Sequence, residues 1–238
     1  MPYIKTLNAS FPGATSFANY LAKVDKVTTP LGFDRANSFA AVSLCRDELA
    51  QSFLAEVERR WEQPFNLGGL GALPSLGRTG WDACLSHVPS ENSRGHLIVF
   101  GMPHIGLDPD GTLGQTLRRH QSKATSTCGA MVGLLQSLTE GVTPPPEGLN
   151  DLEAERLNEV MLSQAEELPR DLLKLTKIAA HAVDEEIWAE IEALKAYETM
   201  DVAVFCAIQV HLPDDVDHIW PVASAIQGAD GKRISIEL

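Results

Sequence analysis

The spacing of apolar and polar positions changes several times along the chain, and each change predicts an element. Residues 15–26 (TSFANYLAKVDK) read as a short helix that Thr29-Pro30-Leu31-Gly32 breaks. Ser38–Leu44 is short, apolar and without alternation, which predicts a strand buried on both faces of a mostly parallel sheet. The period then lengthens. Leu49, Phe53, Leu54 and Val57 fall on one face of a helix from about 46 to 61. A glycine-rich stretch, NLGGLGALPSLGRTG at 66–80, follows, with a short helix predicted at Trp81–His87. Gly95–Met102 (GHLIVFGM) is a second buried strand, ending at Pro103-His104. Asp108–Gly111 is a turn, and a helix over 129–140 begins directly after Cys128. Residues 143–148 (TPPPEG) form the one linker-like segment. Helices are predicted at 151–164 and 169–197, the second carrying an Ile187, Ile191 and Leu194 stripe. Val202–Val210 is a third buried strand, and 233–238 an edge strand. Strands alternating with helices give the α/β class. The whole chain, 1–238, reads as a single domain, with an N-terminal helical segment at 1–35 and an acidic helical segment at 149–198 returning to the sheet at 202–210.

Charge narrows the partners. The formal charge is −13, and residues 140–202 carry 16 acidic against five basic side chains. Nucleic acid and anionic membrane both select basic patches, so neither is expected as a partner. The acidity itself reads as solvated helix surface. No apolar run reaches the ~20 residues of a membrane helix, and the N-terminus lacks a signal-peptide core, so the expected location is cytoplasmic, with organellar import left open. The four cysteines, Cys45, Cys84, Cys128 and Cys206, are widely separated, which suits core thiols or metal ligands better than disulfides.

Several motifs have ordinary explanations. Gly71–Thr79 (GALPSLGRT) has five residues between its glycines and then Arg78, so it is not a phosphate loop. It is expected to be a tight backbone turn lining an apolar pocket. Asp108-Pro109-Asp110-Gly111 lacks the later acidic positions of a calcium loop. Cys84 and His87, with C-x₂-H spacing, offer half a zinc site or a thiol–imidazole pair, but no second pair stands nearby.

The dispersed set is stronger. Cys45 and His104 each lie just past a buried strand, and Cys45 and Cys128 each precede a helix. Strand ends of a parallel sheet converge on one edge, where ligands bind. Two thiolates and an imidazole there make a Cys₂His zinc set with a fourth position left for water. Asp47, two residues after Cys45, can reach that position and gate it, held back by Arg46 or Arg78. Buried structural thiols, and Asp47 as a first-turn acid, are the competing readings.

C-x-D at a strand end, a distant His and a second Cys follow the ligand logic of β-type carbonic anhydrases. Two features depart from their usual pattern: Leu49 stands where an arginine is expected, and His104 and Cys128 are 24 residues apart. The segment at 67–114, with its G-[KR]-T-G, S-H-x-P and P-H-[IV]-G steps, resembles the low-CO₂-inducible B/C family, as does the later S-x-C-G-A of Ser126–Ala130. The resemblance implies a β-carbonic-anhydrase-like mostly parallel sheet flanked by helices, a Zn²⁺ site at Cys45, His104 and Cys128, Asp47 as the gating carboxylate, and a homodimer.

The implied activity is reversible hydration of CO₂ to bicarbonate by a zinc-bound hydroxide, since zinc lowers the pKa of its water to about 7. Leu70, Leu73 and Leu76 are expected to supply the apolar wall, and His87 is read equally as the proton shuttle or as a packed histidine. Two thiolates push electron density onto the metal, so activity is expected mainly at alkaline pH. Two alternatives carry different tests. A catalytically silent zinc-binding homologue would act as a structural or inorganic-carbon-responsive partner, its acidic helices at 151–198 the docking surface, and would show no turnover. A thiol hydrolase using Cys84 and His87 would alkylate readily and ignore chelators.

Overall fold

The computed structural model describes residues 1–90, 94–140, 151–214 and 216–238. In chain order the elements are α1 (Pro2–Ser10), β1 (Thr15–Ser16), α2 (Phe17–Thr28), β2 (Ser38–Leu44), α3 (Gln51–Trp61), β3 (Phe65–Asn66), α4 (Gly77–Ser86), β4 (Gly95–Met102) and β5 (His104–Gly106). They continue with β6 (Gln115–Thr116), β7 (Thr125–Ser126), α5 (Gly129–Glu140), α6 (Leu152–Ser163), α7 (Leu172–Ala193), β8 (Met200–His211), β9 (His218–Gln227) and β10 (Arg233–Ser235).

The three runs that are apolar without alternation lie side by side, as strands covered on both faces must. The sheet order is β1-β9-β8-β4-β2-β3, with β10 also on β9 and β5 also on β8. β3, β2, β4, β5 and β8 run parallel, and β9 returns antiparallel to β8. One face of the sheet, through Leu97, Val99, Val202 and Val204, packs on Trp81 of α4, Met131 of α5, Val160 of α6 and Val183 of α7. Gly101 lets α7 sit this close, because a Cβ there would stand 2.6 Å from Val183 Cγ1. The other face, through Val42, Ile98, Phe100 and Phe205, packs on α2 and α3. Phe53 and Phe100 meet edge to face there, with centroids 5.5 Å apart. None of the described helices is long and apolar enough to cross a membrane.

Several expected boundaries move. The helix expected from about 46 begins as a 3₁₀ turn at Glu48–Ala50 and becomes α-helical only at Gln51, because the Asp47 side chain caps the turn by accepting from Leu49 N. Cys45 therefore lies outside the first turn of that helix. The helices expected at 15–26, 81–87, 151–164 and 169–197 run 17–28, 77–86, 152–163 and 172–193. The proline-rich segment at 143–148 lies outside the described residues.

Candidate metal centre

Parallel pairing ends β2 and β4 together, with Leu44 opposite Met102. Cys45 is the next residue after β2. Pro103 interrupts β4, and the chain resumes as β5 one step further out, with His104 opposite Gln209 of β8. Cys128 stands at the N-terminus of α5, its carbonyl accepting from Val132 N, with a left-handed φ of 58°. The three ligand atoms of Cys45, His104 and Cys128 lie within 4.8 Å of one another, all buried.

The donor set fits zinc. In a tetrahedral site with Zn–S bonds of ~2.3 Å, two sulfurs stand about 3.8 Å apart; Cys45 and Cys128 Sγ are 3.9 Å apart. That is far beyond a disulfide bond, and all four cysteines are free. His104 Nε2 is buried without a hydrogen-bond partner among the described residues. Leaving such a nitrogen unpaired costs roughly 1–3 kcal/mol, which a cation on its lone pair would offset. Its other nitrogen, Nδ1, is 3.0 Å from His211 Nε2. The hydrogen bond from Cys128 pulls the Cys45 thiol well below its ordinary range, against the opposing effect of burial and with further help from His104. The same bond and burial push Cys128 up.

Asp47 is fixed beside this set. Arg118 Nη2 donates to both of its oxygens at 3.1 and 3.3 Å. Burial raises its pKa, but the Leu49 amide, His104 and Arg118 together outweigh that and leave it below the usual carboxylate range. Asp47 Oδ2 is 4.0 Å from His104 Nε2, too far for a hydrogen bond. Arg118 also donates to Glu48 Oε1 at 2.5 Å, Thr125 Oγ1 at 2.7 Å and Ser126 O at 2.8 Å, which pins the β6–β7 hairpin over the site. A cleft of about 540 Å³ opens beside it, lined by Leu49, Ser52, Arg118, His211 and Asp217 among others. A smaller pocket of about 230 Å³ lies against Cys45, with Val42, Leu44 and Leu54 in its wall.

The other expected site residues lie elsewhere. Arg46 turns to α6 and donates to Glu153 at 2.7 and 3.3 Å, so it does not pair with Asp47. Arg78 is exposed on α4, 3.7 Å from Asp82. His87 packs against the rings of Phe39 and Phe65, with centroids 5.8 and 5.6 Å away. Phe39 is the second residue of β2 and Phe65 is opposite Ala41, so at ~3.3 Å per residue His87 packs roughly 13–20 Å along the sheet from Cys45, out of contact with the ligand set of its own chain. Leu73 is core and Leu76 is exposed. Leu70 lines a separate groove between α5 and α6. The glycine stretch is the expected tight turn: a Cβ on Gly68 would overlap the Leu44 carbonyl oxygen. Asp108 accepts from Asp110 N and Thr112 N and simply closes its own turn.

Cys84 is fully buried on α4 and burial pushes its thiol up to about 12. A thiol in that state is almost wholly protonated near neutral pH. Cys84 is therefore expected to resist iodoacetamide in the folded protein and to react only after unfolding, as peptide mass mapping would show. Rapid labelling of the native protein would restore the thiol-hydrolase reading.

The sequence matches the family model described as limiting CO₂-inducible proteins B/C β-carbonic anhydrases over residues 14–227. The crystal structure of PtLCIB4, a homologue of the limiting CO₂-inducible protein LCIB, matches with a TM-score of 0.86 at 22% identity, covering 99% of this chain and 100% of that one. The crystal structure of LCIB matches at 0.77 and 24% identity, covering 97% of each chain. A Coccomyxa β-carbonic anhydrase in complex with acetazolamide is more distant, at 0.46 and 16% identity over 82% of this chain and 77% of that one. No curated protein matches the chain.

Proposed function

Because the chain belongs to the limiting CO₂-inducible proteins B/C β-carbonic anhydrases, we propose that it holds Zn²⁺ through Cys45, His104 and Cys128 and reversibly hydrates CO₂ to bicarbonate. Bound there, zinc supplies Lewis acidity that makes water nucleophilic near neutral pH. The two thiolates carry the ligand charge and the neutral imidazole supplies the third donor, and burial keeps competing water from them. Asp47 orients the attacking water by accepting its hydrogen bond. Arg118 and the Leu49 amide hold that carboxylate in place and keep it off the fourth ligand position. Val42, Leu44 and Leu54 supply the apolar part of a pocket next to Cys45 that Arg46, Gln51 and Asn66 also line, and so take the part first expected of the glycine-segment leucines. The family resemblance extends the proposal to a homodimer.

The observation that carries this reading is the commitment of Asp47 to Arg118. Three donors converge on one point while Asp47, the carboxylate beside them, is bound to a guanidinium, which leaves a fourth position for chemistry. The test is stopped-flow CO₂ hydration by zinc-replete protein at neutral and at about pH 8.5, with the greater rate expected on the alkaline side. Turnover removed by chelation and restored by zinc would support the hydratase. A zinc-replete protein with no turnover at either pH would overturn it and favour a silent, partner-binding homologue.

A further inference from the structure

A buried chain of polar groups leads away from the zinc ligands and has no part in the chemistry above. His104 Nδ1 is 3.0 Å from His211 Nε2. His211 Nδ1 is in turn 2.8 Å from Asp217 Oδ2. Asp217 is held from two further sides, by Leu212 N at 3.2 Å on Oδ1 and by Ser52 Oγ of α3 at 3.1 Å on Oδ2. Topology explains the alignment. His104 is opposite Gln209 on β8, and His211 lies two residues along the same strand, on the same face of the sheet.

Only one proton arrangement lets this chain serve a cation at His104. For Nε2 to offer its lone pair, the ring proton must sit on Nδ1, where it donates to His211 Nε2. The proton of His211 must then sit on its own Nδ1, where Asp217 accepts it. The opposite tautomer of His104 would put an N–H at Nε2, facing the two sulfurs with no lone pair left for a cation. Asp217 accepts from Leu212 N, and the single hydroxyl proton of Ser52 is shared between it and Leu49 O; as a carboxylate it can only accept from His211 Nδ1 and so sets the direction of the whole chain.

Resting on the zinc reading, we propose that His211 and Asp217 are positioning residues that fix the His104 tautomer and ring orientation, so that Nε2 faces Cys45 and Cys128 with its lone pair free. Partners of this kind change metal affinity by roughly 10- to 100-fold when removed.

The test is zinc affinity, measured by competition with a chromophoric chelator, together with the ligand-field spectrum of the cobalt(II)-substituted protein. His211→Phe is expected to bind zinc about 10- to 100-fold more weakly and to shift the cobalt d–d bands. His211→Gln puts an amide oxygen near the position of Nε2 and is expected to recover most of the affinity and the wild-type spectrum, a rescue that mere packing would not produce. Asp217→Asn replaces one acceptor oxygen with a donor that must face another donor, and is expected to weaken binding about 10-fold. Wild-type protein that binds zinc while His211→Phe binds it equally well overturns the proposal and leaves the zinc site standing. If His211→Phe does not fold, Asp217→Asn decides, and unchanged affinity there overturns the proposal. Wild-type protein that binds no zinc overturns the site and the proposal together.

Discussion

Arg118→Ala is expected to slow CO₂ hydration by about 100-fold while the protein keeps its zinc. Arg118 and Asp47 form a poorly solvated pair, with side chains only 19% and 10% exposed, so their interaction is screened far less than that of a surface ion pair. Hydrogen bonds to a charged group contribute roughly 1.5–3 kcal/mol each. Losing about 3 kcal/mol of restraint on Asp47, at ~1.36 kcal/mol per tenfold in rate, gives the hundredfold figure. The released carboxylate would keep only the Leu49 amide as a partner and would stand next to the proposed cation, whose open ligand position is where it would go. Zinc content would hold or rise, and hydration would fall. The check is stopped-flow turnover alongside metal analysis, for Arg118→Ala and for the double variant with Asp47→Ala. In the double variant the blocking group is gone, so part of the lost rate should return. Arg118→Ala protein with full turnover would remove Asp47 from the gating role.

How far the site was legible in the sequence depends on how each residue is positioned. Cys45 and His104 sit where a fully buried strand stops and Cys128 where a helix starts, and the backbone pattern marks such places. Parallel pairing of β2 with β4 then brings the strand ends together. Partner choice is a tertiary matter and left no local mark. Arg46 is the cation adjacent to Asp47, yet neighbours in an extended turn point in different directions, and Glu153, 107 residues away, takes it. Arg118 carries no motif, although an Arg118-Arg119 pair between two expected ligands of an acidic chain was a usable signal. His211 offered a better one. It ends an apolar strand as His104 does, but the strand was expected to stop at Val210 and the histidine fell outside it.

The fold divides in the same way. β2 and β4 match their expected limits, and α5 its expected start, because they are framed by sharp changes of period. β9 escaped because most of it is only partly buried and Pro221 interrupts it. The structure admits that proline at a register shift, where Cys206 pairs with Ala223 and Ala207 with Pro221. α1 falls in the N-terminal segment expected to be helical, but its limits were not legible, because its apolar face is just Tyr3 and Leu7, which pack with Phe11 in one cluster with Ile105, Ile208 and Val210. Two-residue strands such as β3 and β6 are too short for any period to show.

Cys128→Ser is expected to weaken zinc binding by roughly 100- to 1000-fold and to abolish hydration. Structural zinc sites bind with about 10–16 kcal/mol; shared over four ligands, that is roughly 3–4 kcal/mol each, or two to three powers of ten at ~1.4 kcal/mol per tenfold. Serine keeps the size of the side chain, and its hydroxyl stays protonated where a thiol would ionise, so the substitution removes the thiolate and little else. The backbone is informative too. Cys128 holds a φ of 58°, a conformation that costs an L-residue about 1–2 kcal/mol. Thr127 N donating to Gly114 O, and Val132 N donating to Cys128 O, hold the chain in it. That strain aims Sγ at Cys45 and persists in the serine variant, so any difference between the two proteins reports the ligand and not the turn. Thermal unfolding gives a second readout. Zinc that binds only the folded state raises the midpoint of the wild-type protein by mass action, and at the same free zinc the variant should show little of that rise. A serine variant that bound zinc as tightly as the wild type would remove Cys128 from the site. It would leave Cys45 and His104 as a two-ligand set too small for a closed tetrahedral centre.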